Sequence, residues 1–310
     1  MTRLRLALDW TPNTLHTGFF VARHQGYLAE ANLELEIISA DADGYATTPA
    51  KKVELGEADL AIAPSESVIS FQTKAKPAPL KAIAALLAKD GSAVVVQKSS
   101  GIERPAQLDG KIYASYAARF EDHIVKRMVQ ADGGTGSLWI TYPHKLGIWE
   151  LFGKSQADAT WVFMPWEGVE SEQLGFELRP FRLGDYGIPY GYSPVLIAHG
   201  DQLARDAAPY QALVAAVRRG YHFALENPDE ASRMLQEEGD HPTLADLGFL
   251  QKSQRSLADY LTAEGQPWGH MDPEVWHTFV HWLMAEGILT DHEGLPITEL
   301  DIDQLFVAGW

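Results

Sequence analysis

At 310 residues the chain is long enough for two domains of ordinary size, and 46% hydrophobic with 22% charged residues is the profile of a globular protein with a normal core. A net charge of −17, from 42 acidic and 25 basic side chains, argues against nucleic acid and against an anionic membrane surface as partners. Cysteine is absent, which excludes disulfides, thiolate metal sites, iron–sulfur clusters and cysteine nucleophiles.

Strand-like and helix-like segments alternate from the start. Met1-Thr2 leads straight into Arg3–Leu8, whose alternation of Arg and Leu has the period of a half-buried strand. That opening lacks the pattern of a signal peptide. The expected compartment is therefore cytoplasmic if this is the whole gene product, and periplasmic if a leader has been removed. Leu15–Gln25 reads as a helix stopped by Gly26, and Leu33–Ile38 as a second strand. Thr47–Leu55 and Ser65–Thr73 read as helices around the buried strand Asp59–Ala63, and Leu80–Leu87 leads into another strand. Further on, Ala93–Gln97, Lys111–Ala114, Leu138–Tyr142 and Ala159–Phe163 are strands, with helices at Phe120–Ala131 and Lys145–Phe152. After the strand Pro194–Ala198 the pattern turns helical: Pro209–Glu226, Pro228–Glu238, Thr243–Ser253 and Pro273–Gly287.

This βαβα order predicts an α/β fold with mostly parallel sheets and helices on both faces. The expected division is residues 1–90 plus 194–310 as one lobe and 91–193 as a second, with hinge crossings near Asp90–Ala93 and Ile188–Ser193. A cleft between the lobes is the expected ligand site. No apolar run approaches transmembrane length, so membrane insertion is not expected.

Several segments suggest chemistry and do not sustain it. His277 and His281 lie four apart on a helix, but no glutamate base sits between them and Trp276, Phe279 and Trp282 are interleaved, so packing is the better reading. Gly133-Gly134-Thr135-Gly136 has neither the lysine of a phosphate loop nor the spacing of a dinucleotide turn. No Gly-x-Ser-x-Gly elbow occurs. No catalytic residue, metal or cofactor is expected.

The remaining polar and aromatic residues collect at strand ends, where open α/β sheets bind ligands. Trp10 and Asn13 follow the first strand, Tyr45 and Thr47 the second, and Ser65 and Ser67 the third. Tyr116 follows a strand of the second lobe, Trp166-Glu167 follows another, and Tyr190 and Tyr192 lie on a crossing. Flat rings for stacking, one acid and many neutral hydrogen-bonding groups suit a polar, nitrogen-rich heterocycle. Glu167 can accept parallel hydrogen bonds from an amino group and a protonated ring nitrogen. Arg119 is the one cation expected on the ligand side, which disfavours an oxyanion.

The segments Asp9-Trp10-Thr11-Pro12-Asn13-Thr14, His16-Thr17-Gly18 and Gly26-Tyr27 resemble the start of thiamin-pyrimidine-precursor binding proteins of ABC transporters. Gly56-Glu57-Ala58-Asp59-Leu60-Ala61-Ile62 and Trp166-Glu167-Gly168 look like two further signatures of that family. The resemblance implies a type II periplasmic-binding-protein fold, a ligand such as formylaminopyrimidine stacked on aromatic rings, and an ABC permease as partner of an exported protein. It carries Trp10, Asn13 and Glu167 over as ligand-binding positions, and Tyr190 and Tyr192 less closely. The same superfamily contains the fungal-type pyrimidine phosphate synthase, so the alternative is a cytosolic enzyme of thiamin pyrimidine biosynthesis. In that comparison the cofactor-binding lysine falls at Ala63 and the donor histidine at Ser67, and the cysteines are missing. The resemblance thus implies a binder rather than an enzyme.

Overall fold

The computed structural model describes residues 1–143 and 147–310. Lys145 and Leu146, the expected start of one helix, lie outside the described residues; the helix there runs Ile148–Gly153. Ten strands occur among the described residues: β1 (Thr2–Ala7), β2 (Leu33–Ile38), β3 (Leu60–Ala63), β4 (Leu80–Ala85), β5 (Ser92–Gln97), β6 (Ile112–Ala114), β7 (Trp139–Thr141), β8 (Ala159–Phe163), β9 (Leu178–Phe181) and β10 (Val195–His199). They form two five-stranded sheets, ordered β2-β1-β3-β10-β4 and β7-β6-β8-β5-β9.

The chain divides into two compact units. The first comprises Met1–Asp90, Gly191–His277 and Thr290–Trp310; the second comprises Gly91–Tyr190 and Thr278–Leu289. The return to the first unit thus comes at Gly191 rather than at 194, and Thr278–Leu289, expected with the first lobe, packs with the second unit.

Each sheet has one reversed strand. In the first, β1 is parallel to β2 and β3, while β10 is antiparallel to β3 and β4. In the second, β6 is parallel to β7 and β8, while β5 is antiparallel to β8 and β9. The expectation of mostly parallel sheets holds for the other four strands of each sheet, and these two are the exceptions. Both enter directly from the other unit, without the crossover helix that forces a following strand to run parallel. The register then fixes where they enter. Val195 pairs with Ala63, so β10 begins at the edge where β3 ends. Ser92 pairs with Phe163, so β5 begins where β8 ends. In each unit the chain therefore arrives at the carboxyl edge of the parallel strands.

Local sequence explains the elements. Leu33 and Leu35 of β2 are buried while Glu34 and Glu36 point outward, the alternation of an edge strand with one wet face. β3 and most of β10 are apolar and buried on both faces. The missed strand β9 contains Pro180, tolerated because β9 is an edge strand. The helix expected at Thr243–Ser253 runs instead over Leu247–Leu261, because the Asp246 carboxylate accepts the Phe249 N–H at 3.0 Å and caps it there.

Two glycines let the helix Thr17–His24 lie directly on the helix Ala208–Glu226. A Cβ at Gly18 would stand 2.1 Å from the Tyr221 ring, and one at Gly220 would stand 2.1 Å from the Gly18 carbonyl oxygen. At Gly220 the nearest atoms are all backbone of the facing helix, so no side chain can move aside. Gly220→Ala is expected to cost about 3 kcal/mol, read as a lower denaturant midpoint at unchanged slope. Gly153→Ala, where a Cβ meets nothing within 4 Å, is the control and is expected to leave the midpoint within error or raise it slightly.

Candidate functional site

In the first unit the loop after β1 is braced from within. The Asn13 side chain accepts the Leu15 N–H at 2.9 Å and donates to the Thr11 carbonyl at 3.1 Å. The fully buried His16 ring accepts the Asn13 N–H on Nδ1 at 3.3 Å, which leaves the Nε2 proton for Asp9 Oδ1 at 2.8 Å. Asn13 thus spends its amide on the loop itself, while Trp10 is left half-buried at its tip. Trp10 meets Tyr45 with ring centroids 5.4 Å apart at 42°. Tyr45 stands at φ +65°, a strained conformation for a bulky residue, and its ring is 41% exposed. The two rings from these strand ends form a tilted pair.

Thr47 lies half-buried just before the helix Pro49–Glu54. Ser65 opens the eight-residue helix Ser65–Gln72; its N–H donates to the Tyr192 carbonyl at 2.9 Å, and the Ser67 N–H donates to Pro64 at 2.9 Å. The Ser65 hydroxyl is buried and has no hydrogen-bond partner among the described residues, an arrangement that costs about 1–3 kcal/mol. Tyr192 is committed elsewhere. Its ring lies 6.4 Å from Trp276, its hydroxyl accepts the Asp272 N–H at 2.8 Å, and it borders a cavity of about 180 Å³ with Leu261 and Val275.

Three residues that sequence reasoning did not single out hold the two loops together. His241 Nε2 lies 3.1 Å from Asp41 Oδ2, its Nδ1 accepts the Thr243 N–H at 3.2 Å, and the Thr243 hydroxyl donates to the Pro12 carbonyl at 2.9 Å. The strap joins the loop of Trp10 to the loop of Tyr45. The Ser39 hydroxyl and His241 together hold the Asp41 carboxyl below the usual carboxylate range. No local signal marks residues that lie 200 positions apart.

In the second unit Glu167 lies in a π-helical turn, Met164–Gly168, a distortion frequent at functional sites. Its Oε2 accepts the Phe163 N–H at 3.0 Å, which tethers the carboxylate to the end of β8. Trp166 beside it is buried. Tyr116 is two-fifths exposed as a residue, and burial of its hydroxyl first, then the charges of the Glu167 and Glu121 carboxylates, push its pKa well up. Tyr116 and Glu167, from separate strand ends, thus lie within electrostatic reach of each other. Tyr190 packs on Trp161 at 5.2 Å and on Phe279 at 5.4 Å, forming an aromatic set of its own. Arg119 lies 5.0 Å over the Phe120 ring, and burial lowers its pKa. Glu121, also missed, is buried at the start of the helix Glu121–Ala131, where burial outweighs its hydrogen bonds and raises its pKa. Its signal was the acidic first turn Glu121-Asp122. No group of three or more histidine or acidic residues placed to hold a metal occurs among the described residues.

A family model described as NMT1/THI5 like matches residues 13–231. The chain belongs to that family. Within its wider range of relatives, it is 26% identical over 290 residues to the formylaminopyrimidine-binding protein of Halalkalibacterium halodurans, covering 91% of this chain and 84% of that one. It is also 26% identical over 237 residues to the 4-amino-5-hydroxymethyl-2-methylpyrimidine phosphate synthase of Legionella pneumophila, covering 76% and 73%. Among solved structures, the alkanesulfonate-binding protein SsuA from Xanthomonas axonopodis pv. citri superposes with a TM-score of 0.71 at 12% identity, over 100% of this chain and 99% of that one. The NMT1/THI5-like chain thus has the type II periplasmic-binding-protein fold.

The strap yields a test with a definite sign. A carboxyl held below its unfolded value stabilises above about pH 4, and the contribution is lost as pH falls through the folded value. Asp41→Asn is therefore expected to lower the urea midpoint at about pH 6 and to differ less from wild type at about pH 3. An equal difference at both pH values would show that the carboxylate charge is not what holds the loops.

Proposed function

We propose that this chain is a non-enzymatic binding protein for a small nitrogen heterocycle, most simply a thiamin pyrimidine precursor such as formylaminopyrimidine. What supports the reading is the Glu167 carboxylate, tethered by the Phe163 N–H and near enough to the Tyr116 phenol for its charge to raise that group's pKa. A tethered carboxylate with a phenol in its vicinity suits the edge of an aminopyrimidine, which can give the acid two parallel hydrogen bonds and leave the phenol as a further partner. Within the first unit, the Trp10–Tyr45 pair offers flat, partly exposed faces of the kind a heterocycle stacks on, and the Ser65 hydroxyl has hydrogen-bonding capacity to give a ligand. The likeness to a formylaminopyrimidine-binding protein over nine-tenths of the chain supports the ligand class. When exported, the protein would hand its ligand to an ABC permease.

A second reading follows from the synthase relative. An enzyme that holds pyridoxal phosphate as an imine needs an amine, and the position that the resemblance assigns to that lysine is Ala63, in the buried strand β3. Ser67 takes the place of the histidine. The binding reading is therefore preferred.

Calorimetric titration with formylaminopyrimidine tests it. Trp10→Ala is expected to weaken binding about tenfold through lost stacking. Glu167→Gln is expected to weaken it about 10- to 100-fold, the range for a hydrogen bond to a charged group. An unchanged dissociation constant in Glu167→Gln would remove that residue from the site. A stable imine absorbance band after incubation with pyridoxal phosphate would overturn the binding-only reading.

A further inference from the structure

The connection from β6 to the helix Glu121–Ala131 is short, irregular and held in an unusual way. Ala117 stands at φ +61°, in the left-handed region that a residue with a Cβ rarely adopts. The amides on either side of it converge on one side chain. The Tyr116 N–H lies 3.1 and 3.0 Å from the two Glu121 carboxylate oxygens, and the Ala118 N–H lies 3.2 Å from Oε2. The Tyr113 hydroxyl donates to Oε1 at 2.7 Å. The Ala117 N–H is taken by the Ser115 hydroxyl at 3.0 Å. Two of three successive amides thus grip one carboxylate, in the way a turn of backbone N–H groups grips a bound anion, and the amide between them is taken by a hydroxyl. Here the anion is the chain's own carboxylate, 4% exposed, at the positive end of an eleven-residue helix.

Burying a carboxylate is costly, and a loop needing only to reverse direction would not require it. What the carboxylate fixes is the backbone of Tyr116, whose ring reaches the surface and whose hydroxyl lies near Glu167. We infer that Glu121 is a positioning residue of the binding site: by clamping the Tyr116 and Ala118 amides and bridging them to Tyr113, it sets the Tyr116 hydroxyl in place for the ligand. The inference rests on the binding reading above, since it is through Tyr116 that Glu121 acts on a ligand. Its own geometry stands within the second unit alone.

Two properties separate this role from a merely structural one. Glutamine at position 121 keeps the size of the side chain but offers one carbonyl oxygen and turns an NH₂ group toward the amides, so the clamp is broken without a cavity. The effect on a ligand should also depend on the presence of the Tyr116 side chain. Among the described residues, the titratable groups that act on Glu121 are Tyr113 on β6, Tyr116 in the loop, Asp122 on its own helix and Tyr142 after β7. No cation is among these, which accords with a carboxyl that titrates above its ordinary value.

The experiment combines amide hydrogen exchange with a double-mutant cycle, using formylaminopyrimidine as the probe. Glu121→Gln is expected to speed exchange at the Tyr116 and Ala118 amides about tenfold, with the rest of the second unit unchanged, and to weaken binding about tenfold. In a Tyr116→Ala background the same change is expected to alter affinity less than about twofold. Should Glu121→Gln fail to fold, the wild type decides: the Tyr116 and Ala118 amide resonances are expected to move together on acidification, with one midpoint above the ordinary glutamate value of about 4.3. Unchanged exchange at both amides, independent titration, or an equal loss of affinity with and without the Tyr116 side chain would each overturn the proposal. If wild type does not bind formylaminopyrimidine, the function proposed above fails, and the exchange and titration results still support or overturn the clamp.

Discussion

The constraint on which the rest of the structure depends is the reversed strand in each sheet. β10 and β5 enter antiparallel, and their first residues pair with the last residues of β3 and β8. Because β1, β2 and β3 run parallel, their carboxyl ends share one edge, and β10 must begin at that edge; the same holds for β6, β7, β8 and β5. The loops carrying Trp10, Tyr45 and Ser65 therefore lie at the same edge as the Tyr190–Ser193 connection, and the Ser65 N–H bonded to the Tyr192 carbonyl is the local sign of it. In the second unit the Met164 N–H donates to the Gly91 carbonyl in the corresponding place. Topology alone gathers the chemistry-bearing loops beside the segments through which the chain passes from unit to unit.

Each edge is then stiffened by a buried or half-buried acid that itself need not touch a ligand. Asp9 pins His16 in the first unit, Asp41 ties two loops through His241, and Glu121 grips the loop of Tyr116 in the second. Recognition residues need rigid support, because every loop frozen on binding subtracts from affinity. The strained backbones of Tyr45 and Ala117 fit the same pattern: conformations that cost energy alone persist where neighbours over-determine them.

Much of this was legible in the residues, for physical reasons that also set its limits. β2 and β8 fall where hydrophobic pattern places them, because alternation and an uninterrupted apolar run are local signals. β9 escaped notice because Pro180 reads as a strand breaker and is tolerated only at a sheet edge, a tertiary fact. Strand direction is likewise invisible to periodicity. Strand-end position points to segments but not to the duties within them: Asn13 and Tyr192 turn their polar atoms into the protein, Trp10 pairs with Tyr45 in the first unit, and the Glu167 carboxylate acts on the Tyr116 phenol in the second. Asp41 and His241 were beyond reach, since the contact exists only after the helical C-terminal part has folded back on the first sheet.

The central claim is that Tyr116 and Glu167 of the second unit take part in holding a small nitrogen heterocycle. Amide hydrogen exchange of the wild type with and without saturating formylaminopyrimidine tests it most directly. The account predicts added protection focused on the segments around Tyr116 and Glu167. Unchanged exchange there, or protection spread evenly with no focus on those segments, would contradict it.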